Sequence, residues 1–386
     1  MQMVRALICA LALLMFSPCW AGPWTNYRSD AAHTANTREN FDPTTLVPQW
    51  NRHVGVVQGL PPFSPIVWRQ RVFICSVTQN GWFLDSLDLK TGELLWQQPI
   101  VSFPYGPVVA GGRLLVAGSD PLPHIDAYAA HDGSFLWTSG PLGPLTPLNS
   151  TPVVLGDLVY QAINGSIHAL DVSSGLEVWS QDVRGGTHGT PSVSSDGQIF
   201  ATYPMHYYAL SSYTGSLVWH ISLPGVGGGG TTPTVGDLVY MVDRDWSVSG
   251  YPPTVYALTR ETGETIWQRS YRLSLISDTA LDRNGLYLTI RPNGATGTLH
   301  VLDPDTGTEL WEFEPDTSLF YAPVLTKQHV FVSSFSKTYA VDTSTGQEVW
   351  SADQGGQVVI ANRWVLISTD DGDIHAYRAD LSRTRP

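Results

Sequence analysis

Short apolar runs of four to six residues, separated by turn residues, recur along most of this chain. In one representative stretch, runs begin at Thr151, Leu158 and Ile167, and turns rich in Gly, Asp, Asn and Ser separate them. Runs of this length that are rich in Val, Ile, Tyr and Trp are typical of antiparallel strands. Apolar spacing of the helical type is absent, and Gly and Pro recur too often for long helices. The pattern therefore predicts an all-β fold built from β-meanders.

A glycine followed four residues later by a tryptophan recurs seven times. Successive glycines lie 41, 42, 40, 48, 44 and 39 residues apart. A period near 40 residues indicates a propeller blade or a helical hairpin, and the β-type runs favour the blade. We expect the glycine to form a turn and the tryptophan to fill the interface between blades. The pairs are Gly92 and Trp96, Gly133 and Trp137, Gly175 and Trp179, Gly215 and Trp219, Gly263 and Trp267, Gly307 and Trp311, and Gly346 and Trp350.

The number of blades follows from the second and third runs, which each occur eight times. The chain ends after the eighth third run, so the last blade lacks a fourth run of its own. The segment from Leu46 to Trp50 resembles a fourth run with its tryptophan, and no third run precedes it. We therefore predict an eight-bladed β-propeller of four-stranded antiparallel blades, in which this N-terminal strand pairs in the last blade. Such closure removes two exposed sheet edges.

The first 21 residues have the layout of a secretory signal peptide. Arg5 precedes an apolar run that is too short to span a bilayer, and small residues precede a cleavage site near Ala21. We expect a periplasmic or secreted protein with no transmembrane segment. Lipidation of Cys19 is the alternative, although the residue before it is Pro18 and not the usual small residue.

The rest of the chain is assigned as one domain with two flanking pieces. Residues 22–45 form an N-terminal extension, residues 46–378 form a single propeller, and residues 379–386 form a C-terminal tail. Because closure joins the two chain ends, we expect the ring to behave as one domain. We also expect the propeller to be monomeric.

Charge and cysteine content narrow the function classes. The net charge is -13, and cleavage after Ala21 would make it -14 by removing Arg5. A surface of this sign repels nucleic acid and anionic lipid, so no nucleic-acid partner is expected. Cleavage would also leave Cys75 as the single cysteine, which excludes an internal disulfide. The fold must then depend on its hydrophobic core.

The third run, turn and fourth run together resemble a known repeat. Ala169-Leu170-Asp171, with Gly175 and Trp179, is similar to the tryptophan-docking repeat of the PQQ-like propellers, whose architecture is WD40-like. The resemblance covers residues 46 to 378 and implies the fold. It implies function less sharply, since one fold hosts several activities. One branch of the family comprises quinoprotein dehydrogenases, and the other is the non-catalytic BamB-like branch of outer-membrane assembly factors.

The dehydrogenase branch implies PQQ and Ca²⁺ in the funnel, an aspartate base and often a disulfide between adjacent cysteines. This chain has no adjacent cysteine pair. Its first runs, which should line the channel, begin with pairs such as Ser64-Pro65 and Thr151-Pro152, with no carboxylate beside these prolines. We therefore expect no catalytic site and neither PQQ nor Ca²⁺.

Three histidines suggest a metal at first sight. His168, His300 and His375 occupy the same position of the third run, where other blades have Asp or Tyr. Corresponding positions on different blades radiate around a ring and do not converge, so no metal site is predicted.

Irregularity in the repeat points to a binding surface. The longest glycine spacing, 48 residues, contains an insertion with Arg244, Trp246 and Tyr251. Insertions in repeat proteins map to loops, and Trp, Tyr and Arg are common anchors at interfaces. His188, just before a first run, is a further candidate for contact with a ligand or partner. The alternative for the insertion is a loop that packs on its own propeller and contacts no partner.

These observations favour a non-enzymatic scaffold that binds a protein partner, with a role in outer-membrane protein assembly implied by the resemblance alone. A propeller that binds a small molecule or glycan in its channel is the first alternative. A PQQ-dependent dehydrogenase is the second.

The enzyme alternative has a direct test. We expect no dye-linked oxidation of alcohols or sugars when PQQ and Ca²⁺ are added to the purified protein, because the chain lacks the cysteine pair and channel carboxylates. Quinone-dependent turnover in this assay would reverse the conclusion.

Overall fold

The computed structural model describes residues 24–55, 64–100, 105–144, 150–163, 165–183, 189–203, 206–223, 232–243, 252–272 and 274–380. These residues form eight antiparallel sheets around a ring, which confirms the predicted all-β, eight-bladed propeller. The helical content of this described part is the 3₁₀ turn η1, Pro43–Thr45. Among the described residues, no helix has the length and apolar character needed to cross a membrane.

Seven blades take their strands from consecutive stretches of chain, each strand antiparallel to the next. Blade 6 has a divided first strand, because β22 and β23 both pair with β24. Blades 1 to 4 contain β2 (Ile66–Trp68), β3 (Arg71–Thr78), β4 (Gly81–Asp88), β5 (Leu94–Ile100); β6 (Tyr105–Ala110), β7 (Arg113–Gly118), β8 (His124–Ala129), β9 (Phe135–Thr138); β10 (Val153–Leu155), β11 (Leu158–Ile163), β12 (Ser166–Asp171), β13 (Glu177–Asp182); and β14 (Ser192–Val193), β15 (Gln198–Tyr203), β16 (His206–Ser211), β17 (Leu217–Ser222). Blades 5 to 7 contain β18 (Thr234–Val235), β19 (Leu238–Asp243), β20 (Thr254–Thr259), β21 (Thr265–Ser270); β22 (Ser274–Ile276), β23 (Ala280–Asp282), β24 (Gly285–Pro292), β25 (Thr298–Leu302), β26 (Glu309–Phe313); and β27 (Val324–Leu325), β28 (His329–Ser333), β29 (Thr338–Asp342), β30 (Glu348–Ala352).

The eighth blade joins the two ends of the chain. Its inner strands are β31 (Gln357–Ala361), β32 (Trp364–Ser368) and β33 (Asp373–Ala379), and its outer strand is β1 (Leu46–His53). β1 pairs with β33 along its length, from Leu46 opposite Ala379 to His53 opposite Asp373. This pairing confirms the predicted closure of the ring by the N-terminal strand.

The strand order defines the two faces of the ring. First strands of neighbouring blades lie side by side around a central channel, and fourth strands form the outer rim. Since successive strands alternate in direction, the connections from second to third strand and from blade to blade emerge together, on what we call the mouth face. The other two kinds of turn emerge on the opposite face, which we call the turn face.

The repeated tryptophan of one blade packs on the repeated glycine of the next. A Cβ built on Gly92 would lie 2.6 Å from the Trp50 ring, and one built on Gly215 would lie 2.5 Å from the Trp179 ring. All seven glycines have a backbone φ between 68° and 74°, a region that residues other than glycine rarely adopt. The same contact joins Trp96 to Gly133, Trp137 to Gly175, Trp219 to Gly263, Trp267 to Gly307, and Trp311 to Gly346.

Hydrogen bonds reinforce several of these junctions. The indole N–H of Trp179 donates to the Ser212 carbonyl at 3.0 Å, and that of Trp219 donates to the Arg260 carbonyl at 2.7 Å. Trp350 faces the last blade, where strand pairing replaces the turn between third and fourth strands. There η1 lies against β30 and β33, and Trp350 packs edge-on against Tyr377 with ring centroids 5.4 Å apart.

The N-terminal segment (residues 24–39) crosses the turn-face end of the channel and contacts every blade. In seven blades, one backbone N–H near the end of the first strand donates to this segment. In the eighth, the N–H groups of Asn362 and Arg363 donate to the Glu39 carboxylate. The seven donors are Val67 to the Trp24 carbonyl (3.0 Å), Val109 to Thr25 (2.9 Å), Val154 to the Asn26 side chain (2.8 Å), Val193 to Ala31 (2.7 Å), Val235 to Ala32 (2.9 Å), Leu281 to Thr34 (2.9 Å) and Leu325 to Ala35 (2.7 Å).

These bonds meet a requirement of the ring itself. The channel-facing edge of each first strand has no neighbouring strand, so its inward N–H groups need another acceptor once they are buried. To follow the ring, the segment places five residues other than glycine at positive φ: Arg28, Ser29, His33, Ala35 and Arg38. Each such residue costs about 1–2 kcal/mol, which contacts with all eight blades must offset. Sequence analysis predicted an extension here but not its position in the channel.

His33 is the most deeply buried ionisable group of this segment, with no exposed surface. Its Nδ1 lies 2.9 Å from the Ser192 hydroxyl, which itself donates to the Pro233 carbonyl. Because the Ser192 hydroxyl already donates its proton to Pro233, the neutral His33 ring donates its Nδ1–H to the Ser192 oxygen. Burial, assisted by the nearby charge of Arg28, lowers the His33 pKa to about 3.

The indole–glycine contact can be tested with two alanine substitutions. Gly215→Ala should destabilise the protein more than Gly156→Ala, because only the first brings a Cβ against an indole. Both glycines have similar φ, 69° and 62°, and a Cβ at Gly156 would meet nothing within 4 Å. We expect Gly156→Ala to cost about 1–2 kcal/mol and Gly215→Ala clearly more, measured by urea unfolding. Equal losses would show that the glycine serves the turn alone.

The buried histidine predicts a loss of stability in acid. Between pH 6.5 and 3 the unfolded chain binds a proton at His33 that the folded chain does not, so stability falls as the pH is lowered through this range. From pH 7 to 5 the loss from this group is about 2 kcal/mol. Asn suits the left-handed backbone at position 33. In the His33→Asn variant, the unfolding free energy should therefore fall by about 2 kcal/mol less between pH 7 and pH 5 than in the parent. The same pH dependence in both proteins would contradict the assignment.

Candidate functional site

On the mouth side of the N-terminal segment, the channel widens into a central cavity of about 310 Å³. Trp24, Tyr27 and Arg28 of the segment face this cavity and form its floor. Its walls come mainly from blades 6, 7 and 8 and are largely apolar, with Leu275, Ile276, Leu319, Phe320, Val324 and Val358 among them. In the described part of the chain, the N-terminal segment therefore lies between this cavity and the turn face.

A buried arginine dominates the floor of the central cavity. Arg28 is 6% exposed, and its Nη2 donates to the carbonyls of Thr279 at 2.7 Å and Pro323 at 3.0 Å. Its Nε has no hydrogen-bond acceptor in the described structure, and no described carboxylate lies within ion-pair distance. Beside it, the Tyr27 hydroxyl donates to the Asp278 carboxylate at 3.0 Å. The floor is thus a fixed positive charge held between blades 6 and 7.

Three aromatic rings lie beside the cavity mouth, two of them exposed and one, that of Tyr321, buried. Phe320, Tyr321 and Phe335, here called the aromatic cluster, lie in mouth-face connections of blades 6 and 7. Phe320 and Phe335 are 40% and 53% exposed, with ring centroids 4.2 Å apart. The Arg291 guanidinium lies 4.6 Å from the Phe320 centroid, and the Tyr321 hydroxyl donates to Asp370. Adjacent exposed rings with an arginine are typical of protein-binding surfaces.

The central cavity does not fit a calcium–quinone centre. Calcium takes about six to eight oxygen ligands converging on one point. Asp278 is the one carboxylate among the described residues of the cavity, it already accepts from Tyr27, and two arginines share the space. Cys75 is buried and free, on β3. That the protein uses neither PQQ nor Ca²⁺ stays a prediction.

One described group of side chains brings metal-ligand types together. His300 lies within 3.5 Å of both Glu309 and Glu312, on the third and fourth strands of blade 6. Arg269 also donates to Glu309 at 2.6 Å. A fixed cation at the same carboxylate opposes metal binding, so we interpret the group as an ion-pair network between strands. Sequence analysis treated His300 as a repeat position and missed its two glutamates on the neighbouring strand.

The sequence-predicted partner residues lie outside the described residues. This applies to Arg244, Trp246 and Tyr251, between β19 and β20, and to His188, before β14. The proposed signal peptide, residues 1–21, is also outside the described part of the chain, as are residues 381–386 of the tail. The repeated glycines and tryptophans form the junctions between blades.

Solved structures share the fold with this chain. A europium-containing methanol dehydrogenase superposes with a TM-score of 0.74 at 14% identity, covering 93% of this chain and 98% of that one. BamB from Moraxella catarrhalis superposes with a TM-score of 0.62 at 16% identity, covering 86% and 99%. At these identities the likeness shows the fold alone, in an enzyme and a BamB protein alike.

Similarity in sequence distinguishes between these two kinds of protein, which similarity in fold does not. The outer membrane protein assembly factor BamB of Burkholderia pseudomallei is 25% identical over 402 aligned positions, covering 96% of both chains. That of Yersinia pestis is 25% identical over 271 positions, covering 66% of this chain but 65%, just under two thirds, of the relative. A family model described as outer membrane protein assembly factor BamB matches residues 57–139, 123–253 and 253–383. The chain therefore belongs to this BamB-like family of PQQ-type β-propellers.

Proposed function

We propose that this protein is a non-catalytic scaffold of the cell envelope that binds a protein partner through its mouth face during outer-membrane protein assembly. Family membership supports the scaffold role, and the names of its relatives in Burkholderia and Yersinia supply the process. Export by the N-terminal 21 residues would bring the chain to the periplasm, where such a partner is found. The structural similarity to methanol dehydrogenase does not argue for a dehydrogenase activity, because it is a similarity of fold alone.

The observation that carries the proposal is the aromatic cluster. Two adjacent aromatic rings that remain this exposed are typical of a surface that meets a partner. Phe320 and Phe335 keep 40% and 53% of their surface accessible, and the cation of Arg291 adds polarity at their edge. The aromatic cluster therefore supplies, on the mouth face, anchors of the type that interfaces use most.

The proposal is tested by site-specific photocrosslinking in cells, with a crosslinking amino acid at position 335 or 135. Phe135 is a matched control, because it is 58% exposed but lies on the outer strand β9. We expect position 335 to crosslink to an envelope protein and position 135 to give no such product. Equal crosslinking at both positions, or none at 335, would contradict the assignment to the mouth face.

Affinity gives a second measurement with the partner so identified. Phe320→Ser with Phe335→Ser should weaken binding on the order of tenfold or more, because aromatic anchors carry much of an interface's free energy. Phe135→Ser should leave affinity unchanged. Trp246→Ser with Tyr251→Ser tests the insertion separately. If both double variants bind as tightly as the parent while melting at the same temperature, the partner uses another surface.

A further inference from the structure

The central cavity combines features that suit a ligand of a particular chemistry. It is about 310 Å³, the low end of the roughly 300–1,000 Å³ typical of ligand pockets. Its walls are apolar and aromatic, with only a few polar groups converging on its floor. Pockets of this kind bury an apolar ligand body and use the polar groups to orient it. The polar groups therefore decide which ligand fits.

Those polar groups are positively charged on balance. Arg28 lies on the floor and Arg291 on the wall, against the single carboxylate of Asp278 among the described lining residues. Asp278 accepts from Tyr27, and neither arginine has an ion-pair partner among the described residues. This local excess of positive charge is set in a protein of net charge -13. Its sign selects an anion from solution.

The state of Arg28 strengthens the argument. A guanidinium that is 6% exposed is costly to bury without a counter-charge. Two backbone carbonyls accept from its Nη2, its Nε is buried and has no acceptor among the described residues, and the side chain lines the cavity floor. A guanidinium with unused donors presents the geometry that a carboxylate accepts. The fixed position of Arg28, on a segment bound to all eight blades, keeps those donors oriented in advance.

We propose that the central cavity binds a carboxylate carried on an apolar or aromatic body, with Arg28 holding the carboxylate and Arg291 assisting. The rings of Phe320 and Tyr321 then pack against the body of the ligand. The carboxylate has two possible sources, a small organic acid or the C-terminus of a peptide, and the cavity volume favours the smaller. This site shares Phe320, Tyr321 and Arg291 with the mouth-face surface proposed above, but it needs no macromolecule to complete it, so ligand binding is measured on the purified protein alone.

Isothermal titration calorimetry with 3-phenylpropionate and its amide, 3-phenylpropanamide, tests the proposal on the intact mature protein. The two probes differ in charge but hardly in shape, so we expect the acid to bind at least tenfold more tightly. Ala-Ala-Leu with a free or amidated C-terminus forms the second arm. Tighter binding of the free tripeptide than of phenylpropionate would identify a peptide terminus as the source, and the reverse would identify a small acid.

Variants separate the site from a general effect of charge. Arg291→Met keeps an apolar side chain over Phe320 and should weaken the acid about tenfold, and Arg28→Lys should do the same by losing the planar donors. Arg283→Met is the control, because Arg283 is exposed and lines a different cavity, on the turn face. Equal binding of acid and amide, no binding of either at 10 mM, or equal losses in the control would each overturn the proposal. If Arg28→Lys fails to fold, Arg291→Met still decides it.

Discussion

The contact between an indole and the glycine of the next blade is the constraint on which the ring depends. A four-stranded sheet leaves two faces to be covered, and here each blade covers its neighbour. Because the glycine lacks a Cβ, the ring of Trp179 approaches the backbone of the next blade more closely than any other residue would permit. Cys75, the one cysteine among the described residues, is buried and free, so no disulfide adds to this packing in the described part of the chain. The same contact recurs at seven of the eight junctions between blades and so sets how closely these blades approach one another.

The part of the structure that repeats was predictable from sequence, and the part that does not repeat was not. The Gly-to-Trp period and the orphan strand around Trp50 were sufficient for the blade count and the closure, because each signal depends on side chains at fixed spacing. The N-terminal segment binds the blades chiefly through its own carbonyls, which no side-chain pattern reveals. Residues such as Arg28 and His33 at positive φ leave no signature in composition either.

The candidate surfaces show the same division. Sequence reasoning favoured the longest insertion, whereas Phe320 and Phe335 lie in connections of ordinary length and become neighbours only across two connections of the mouth face. Arg28 and Asp278 are 250 positions apart in the chain and share one cavity. The fold is common to dehydrogenases and assembly factors. What distinguishes this chain is which side chains its shared framework gathers at the mouth face and on the cavity floor.

The location of the first residues at the centre of the ring has a consequence for biosynthesis. The N-terminal segment and β1 are made early, but their partners include Leu325, Asn362 and the strand Asp373–Ala379, which are made last. Contacts between such distant parts of a chain form slowly, because a long loop must close first. Until the final blade emerges, the inner strand edges and the cavity floor lack their covering. A nascent chain of this protein thus carries unpaired strand edges for most of its synthesis, the period in which it depends most on protection from aggregation.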